Sequence, residues 1–117
     1  AVKMVMATEH PVEVALQVIS VIIMAPIAEE LLFRGILFNT IKHAGYPLAG
    51  MFASAVLFAL VHGSVALMLP LFVMGFALAW LYERSGSLIA PIVMHATFNA
   101  INFTILKLAQ PFVEKTG

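Results

Sequence analysis

Between residues 11 and 28 the chain carries one charged side chain, Glu13, in a run otherwise dominated by Val, Ile, Leu, Met and Ala. A helix needs about 20 mostly apolar residues to cross the hydrocarbon of a bilayer. This run approaches that length before Glu29, Glu30 and Arg34 interrupt it. Three more stretches of the same character follow, at about residues 48–61, 65–82 and 88–109. Their apolar residues lie all round a helix, whereas a barrel wall needs strict alternation. The pattern predicts an all-α integral membrane helical bundle of about four transmembrane helices, forming one domain over residues 1–117.

Composition agrees. The chain is 62% hydrophobic and 10% charged, against roughly a quarter charged for a soluble domain. Six basic and six acidic residues balance, which speaks against a nucleic-acid partner. With no cysteine, disulfides, thiolate metal sites and a cysteine nucleophile are excluded together. The chain begins at Ala1 and shows no basic start with a short apolar stretch and cleavage site, as a secretory signal would.

The first helix is expected to run from about residue 11 to 42, kinked at Pro26. Gly45 and Pro47 then mark a helix stop and a new start. Gly63-Ser64 separates the second and third spans, and Glu83 to Gly86 closes the third. Ser87 is placed to cap the fourth. Gly50 with Ser54, and Gly75 with Ala79, put small residues four apart, where two helices can approach closely. Such pairs are common in apolar sequence and carry little weight alone.

The polar residues inside these spans are the informative ones. A charge at the centre of a membrane helix costs roughly 2.5–3.5 kcal/mol on insertion scales, so Glu29, Glu30 and Arg34 must be paired, hydrated or neutralised. Glu30 and Arg34 stand at i and i+4, with the acid first, which is the favourable order. Glu29 lies about 100° round the helix and is not matched by that arginine, so one carboxylate is clamped and its neighbour is free to exchange protons. The plainer account is an interfacial salt-bridge cluster. His62 closes the second span one turn after Phe58, and His95, Asn99 and Asn102 form a stripe on the fourth. Alone, each would be read as an interfacial or interhelical hydrogen-bonder. Together on three spans, they are better explained by one polar cavity. His10 and His43 are expected at the surface, and Trp80 and Tyr82 at a membrane interface.

Three segments, in order, resemble a known set. Glu29 to Arg34 (Glu-Glu-Leu-Leu-Phe-Arg), Phe58 to His62 (Phe-Ala-Leu-Val-His) and His95 to Asn99 (His-Ala-Thr-Phe-Asn) match the E-E-x-x-x-R, F-x-x-x-H and H-x-x-x-N motifs of the CPBP, or Abi, intramembrane proteases. That family includes the type II CAAX prenyl endopeptidases. Glu83 to Leu88 is similar to the family's usual lead into the last motif. The resemblance covers about residues 26–102, and its members usually carry additional N-terminal spans.

The resemblance implies hydrolysis of a peptide bond of a membrane-associated protein or peptide. In the roles it implies, Glu29 is the general base, His62 orients and activates water, His95 and Asn99 donate to the oxyanion, and Arg34 holds Glu30. The family's metalloprotease label leaves a second possibility open. Glu29, His62 and His95 could supply the carboxylate and two imidazoles of a zinc site, with Glu30 as base. The resemblance also allows a non-catalytic membrane protein, since relatives are associated with bacteriocin self-immunity and scaffolding, and the buried acids and histidines by themselves allow a proton or ion carrier. No residue identifies a prenyl pocket, and a bacterial cell membrane is the expected location.

Overall fold

The computed structural model describes residues 9–116, with side chains through Phe112. Four helices follow in order: α1 (Pro11–His43), α2 (Pro47–Val61), α3 (Met68–Ser85) and α4 (Ile89–Thr116). No strand occurs among the described residues, and the all-α class is the one the sequence predicts.

The helix boundaries follow from local chemistry. His10 caps α1: its Nδ1 accepts the Val12 N–H, while Glu13 reaches back to the His10 N–H, a reciprocal capping box. Pro26 has no N–H to donate, and its ring crowds the carbonyl four residues back. The stretch before it, Ile19–Met24, is widened to π-type hydrogen bonding, Ala25 N–H donates to Ser20 O, and the helix continues through the proline. A second widened stretch spans Leu31–Phe38. At the end of α1, Gly45 takes φ 103° and Tyr46 N–H donates to Ile41 O, a left-handed stop that glycine makes without strain. Pro47 then occupies the first turn of α2, where a missing N–H costs nothing.

The third helix begins later than its apolar run suggests. Gly63 turns the chain at φ 69°, and Leu67 and Met68 donate to Ser64 and Val65 carbonyls. Residues 65–67 therefore form a turn, and α3 starts at Met68. Ser87 Oγ accepts the Ile89 N–H at 3.1 Å, the capping role expected of it.

Two helical stretches, Pro11–His43 and Ile89–Phe112, are long and apolar enough to cross a membrane. Only 6% and 11% of their most apolar windows are buried, whereas a soluble protein's core helix would be mostly covered. α2 is apolar but has 15 residues, or roughly 22 Å at helical rise. The burial pattern is inverted relative to a soluble protein. Val65, Leu69 and Ile89 are exposed, while Glu30, Arg34, Ser54 and His95 are buried.

The chain divides into two compact units. In the unit Ile27–His95, Phe33, Phe58, Met74 and Leu78 form the apolar core, and Phe38 meets Tyr82 edge-on at 5.8 Å. The small residues Gly50, Ser54, Gly75 and Ala79 are all buried. A Cβ on Gly75 would stand 3.1 Å from Ala55 Cα, and one on Gly50 3.0 Å from the Phe38 ring. These glycines allow the close approach. In the other unit, made of residues 9–26 and 96–116, Lys107 pairs with Glu9 and Asn99 Nδ2 donates to Val21 O at 2.8 Å.

Candidate active site

The unit Ile27–His95 brings Glu29, Glu30, Arg34, His62 and His95 into one cluster. α1 supplies the acids and the arginine at the junction between its α-helical turn Ala25–Glu30 and the widened Leu31–Phe38. His62 caps the C-terminus of α2. His95 lies in the early turns of α4, after the buried Pro91.

The two glutamates are built differently. Glu30 is fully buried, and its Oε2 accepts from both Arg34 Nη1 at 3.1 Å and His95 Nδ1 at 2.8 Å. Arg34, also fully buried, sends Nη2 to the Gly75 carbonyl at 2.6 Å. Its guanidinium lies 4.9 Å from the Phe58 ring centroid. Two hydrogen bonds to charged groups in this setting are each worth about 1.5–3 kcal/mol, and removing one partner would strand the other's charge. Glu30 Oε1 and Arg34 Nε are buried without a hydrogen-bond partner.

Glu29 retains 30% side-chain exposure. Its Oε2 faces His95 Nε2 at 3.3 Å, and its Oε1 faces His62 Nε2 at 3.8 Å. His62 Nδ1 lies 2.6 Å from the Phe58 carbonyl. A carbonyl can only accept, so the Nδ1 of His62 carries a proton and its Nε2 can offer a lone pair to a water. The same reasoning at Glu30 puts a proton on His95 Nδ1. The result is a polar chain running Arg34, Glu30, His95, Glu29, His62, with the last two reaching solvent. Phe58 floors it, with its ring 4.7 Å from that of His62 and 5.6 Å from that of His95.

Asn99 belongs to the unit of residues 9–26 and 96–116, where its amide donates to Val21 O. Asn102 Nδ2 donates to Phe98 O within α4. His43 is exposed, with Nδ1 near Asn39 O.

The set Glu29, His62 and His95 has the donor chemistry zinc takes. Among the described residues, however, no three such groups are arranged to hold a metal ion. Glu29 turns a different oxygen to each imidazole. The three groups follow one another as an acid–imidazole chain.

The spacing of residues foretold the Glu30–Arg34 pair. It did not foretell the Gly75 carbonyl, because a backbone acceptor leaves no mark on a sequence; the one signal available was the small-residue pair Gly75 and Ala79.

Comparisons with known proteins bear on the same residues. The family model for the type II CAAX prenyl endopeptidase Rce1-like group matches residues 11–101. The UPF0177 protein YxdF of Lactococcus lactis is 33% identical over 77% of this chain and 50% of its own length. YdiL of Bacillus subtilis, provisionally named a membrane peptidase, is 33% identical over 84% of this chain and 39% of its own length. The chain thus spans half or less of these curated relatives. No solved structure matches it significantly.

Proposed function

The chain belongs to the Rce1-like family of type II CAAX prenyl endopeptidases, and on that premise we propose that it hydrolyses a peptide bond of a membrane-associated protein or peptide. The observation that carries the reading is the contrast between two adjacent carboxylates. Glu30 is sealed and clamped, while Glu29 is part-exposed and flanked by two imidazole Nε2 atoms.

Glu29 is the general base. It takes the proton of a water that His62 Nε2 orients, and the resulting hydroxide attacks the scissile carbonyl. A well-placed base is worth typically 10²–10⁴-fold. Glu29 then returns the proton to the departing amine. Glu30 and Arg34 are positioning residues: buried and mutually paired, they fix the His95 ring and exchange no proton with water. His95 faces a carboxylate oxygen with each ring nitrogen; entering the cycle with a proton on both, it donates a hydrogen bond to the oxyanion through Nε2 and keeps both protons. Asn99 is the second donor in the proposal, through the amide N–H that it does not give to the Val21 carbonyl. The bacterial relatives support a bacterial cell membrane as the chain's location.

The test is cleavage of a quenched-fluorescent peptide library by the protein reconstituted in liposomes, with Glu29→Ala and His62→Ala beside the wild type. Cleavage lost in both variants supports the assignment, whereas a folded wild type that cleaves nothing favours an immunity or scaffolding role. A proton flux that requires Glu29 without any cleavage would mark a carrier instead. A zinc chelator is added in a parallel arm. Activity that survives it supports the glutamate mechanism; activity lost and restored by zinc assigns Glu29, His62 and His95 as ligands.

A further inference from the structure

We infer that Gly75 is a positioning residue of this site: its missing side chain lets its backbone carbonyl hold Arg34, and through Arg34 the Glu30–His95 pair. The inference rests on the peptidase reading above.

The argument begins with Arg34, which is fully buried and has a guanidinium with few partners. Nη1 goes to Glu30 on its own helix, and Nε has no hydrogen-bond partner. The hydrogen bond it makes outside α1 is Nη2 to Gly75 O, at 2.6 Å. A helical carbonyl has a second lone pair beyond the one used by its own helix, so Gly75 can accept the arginine without breaking α3. Glu30 Oε2 is shared between Arg34 and His95. Any shift of the guanidinium therefore moves the acceptor that orients the His95 ring.

Where α3 offers that carbonyl to Arg34 it is also packed tightly on α2, and a side chain at position 75 finds little room there. A Cβ at position 75 would meet Phe58 Cδ1 at 3.0 Å and Ala55 Cα at 3.1 Å. Ala55 Cα is backbone and cannot swing aside. The Phe58 ring is hemmed in by Arg34, His62 and His95. A methyl group must then shift α3 by a few tenths of an ångström and lengthen the Arg34 anchor, or press Phe58 towards the imidazoles by as much. Both movements reach the reacting groups from a residue that touches no substrate.

Gly50 supplies the control, because a Cβ there meets Phe38 Cδ1 at 3.0 Å and Phe38 O at 3.3 Å. This is a comparable packing insult that falls on α1 four residues beyond Arg34 and touches neither Phe58 nor the Arg34–Gly75 hydrogen bond. The experiment measures kcat and KM for Gly75→Ala, Gly50→Ala and Arg34→Lys, and for each glycine variant combined with Arg34→Lys. Lysine keeps the charge but lacks the fork that spans Glu30 and Gly75. Gly75→Ala is expected to lower kcat roughly ten- to a hundredfold, the scale of a small misplacement, with KM little changed. Its effect should not add to that of Arg34→Lys, whereas Gly50→Ala should leave kcat within about twofold and combine additively. Additive behaviour of Gly75→Ala, or wild-type kcat in the folded variant, overturns the inference.

A second readout needs no activity. Arg34 and Arg84 are the only arginines, so a ¹⁵N-arginine NMR spectrum holds two guanidinium sets, with Arg84 as the internal reference. Separate, slowly exchanging Nη signals are expected for Arg34 in the wild type, merging in Gly75→Ala. A single averaged Nη signal for Arg34 in the wild type overturns the anchor even if Gly75→Ala does not fold. If the wild type cleaves no peptide, the peptidase reading fails while the spectrum still decides the anchor.

Discussion

The segment Ile27–His95 and the segments 9–26 and 96–116 are similarly rich in apolar residues, yet they solve different problems. Apart from Pro26, every buried residue among those described lies in the first. Its interior is organised round charges, with Phe33, Phe58, Met74 and Leu78 closing over Arg34 and Glu30. Among the described residues the second has no such interior; its polar residues cap backbone, as His10 and Glu13 do, satisfy a carbonyl, as Asn99 does, or pair part-exposed, as Lys107 and Glu9 do. The difference teaches that hydrophobicity does not mark a core in a chain of this kind. When lipid is as apolar as leucine, nothing drives leucine inward, and the polar groups needing mutual satisfaction define the inside.

Substitutions can break that comparison. The largest effect is expected for Glu30→Ala, which strands a buried arginine and should cost about 3–5 kcal/mol of stability; denaturant titration in detergent reads it, and a loss under 1 kcal/mol would show that the charges do not organise the core. Glu29→Gln should leave stability nearly intact while kcat drops about 10²–10⁴-fold. Equal losses of stability in the two glutamate variants would erase the distinction drawn between them. Asn99→Ala sharpens the other side: as an oxyanion donor it should cost about 10²–10³ in kcat, with little more than about 0.6 kcal/mol in stability. The smallest effect belongs to Asn102→Ala, whose amide donates to a carbonyl of its own helix and should change stability by less than about 0.5 kcal/mol. A large activity loss there would extend the functional stripe beyond Asn99.

Much of this architecture is legible in the amino-acid sequence. Apolar run length marks the helices, and Gly45, Pro47 and Ser87 mark their ends, because each acts within a few residues. The i,i+4 rule pairs Glu30 with Arg34 and leaves Glu29 apart. What cannot be read depends on distance along the chain. His95 meets Glu30 across 65 residues, and Gly75 meets Arg34 across 41. The late start of α3 is hidden for another reason. Residues 65–67 are apolar enough for a helix, but the Gly63 reversal needs them for a turn. Nor does residue identity reveal the widened hydrogen bonding at Ile19–Met24 and Leu31–Phe38.

The 65-residue gap between Glu30 and His95 also sets an order of events during synthesis. At roughly 5–20 residues per second, the histidine leaves the ribosome about 3–13 s after the glutamate it will contact. Throughout that interval α1 must reside in the translocon or bilayer with its acids already made. Arg34, four residues on, is the counterion available at once. The arginine that pairs with Glu30 in the folded chain is thus also the first counterion that the nascent helix offers it. Arg34→Ala should therefore lower the insertion yield of chains arrested before His95 is made, well before any site exists to be disturbed.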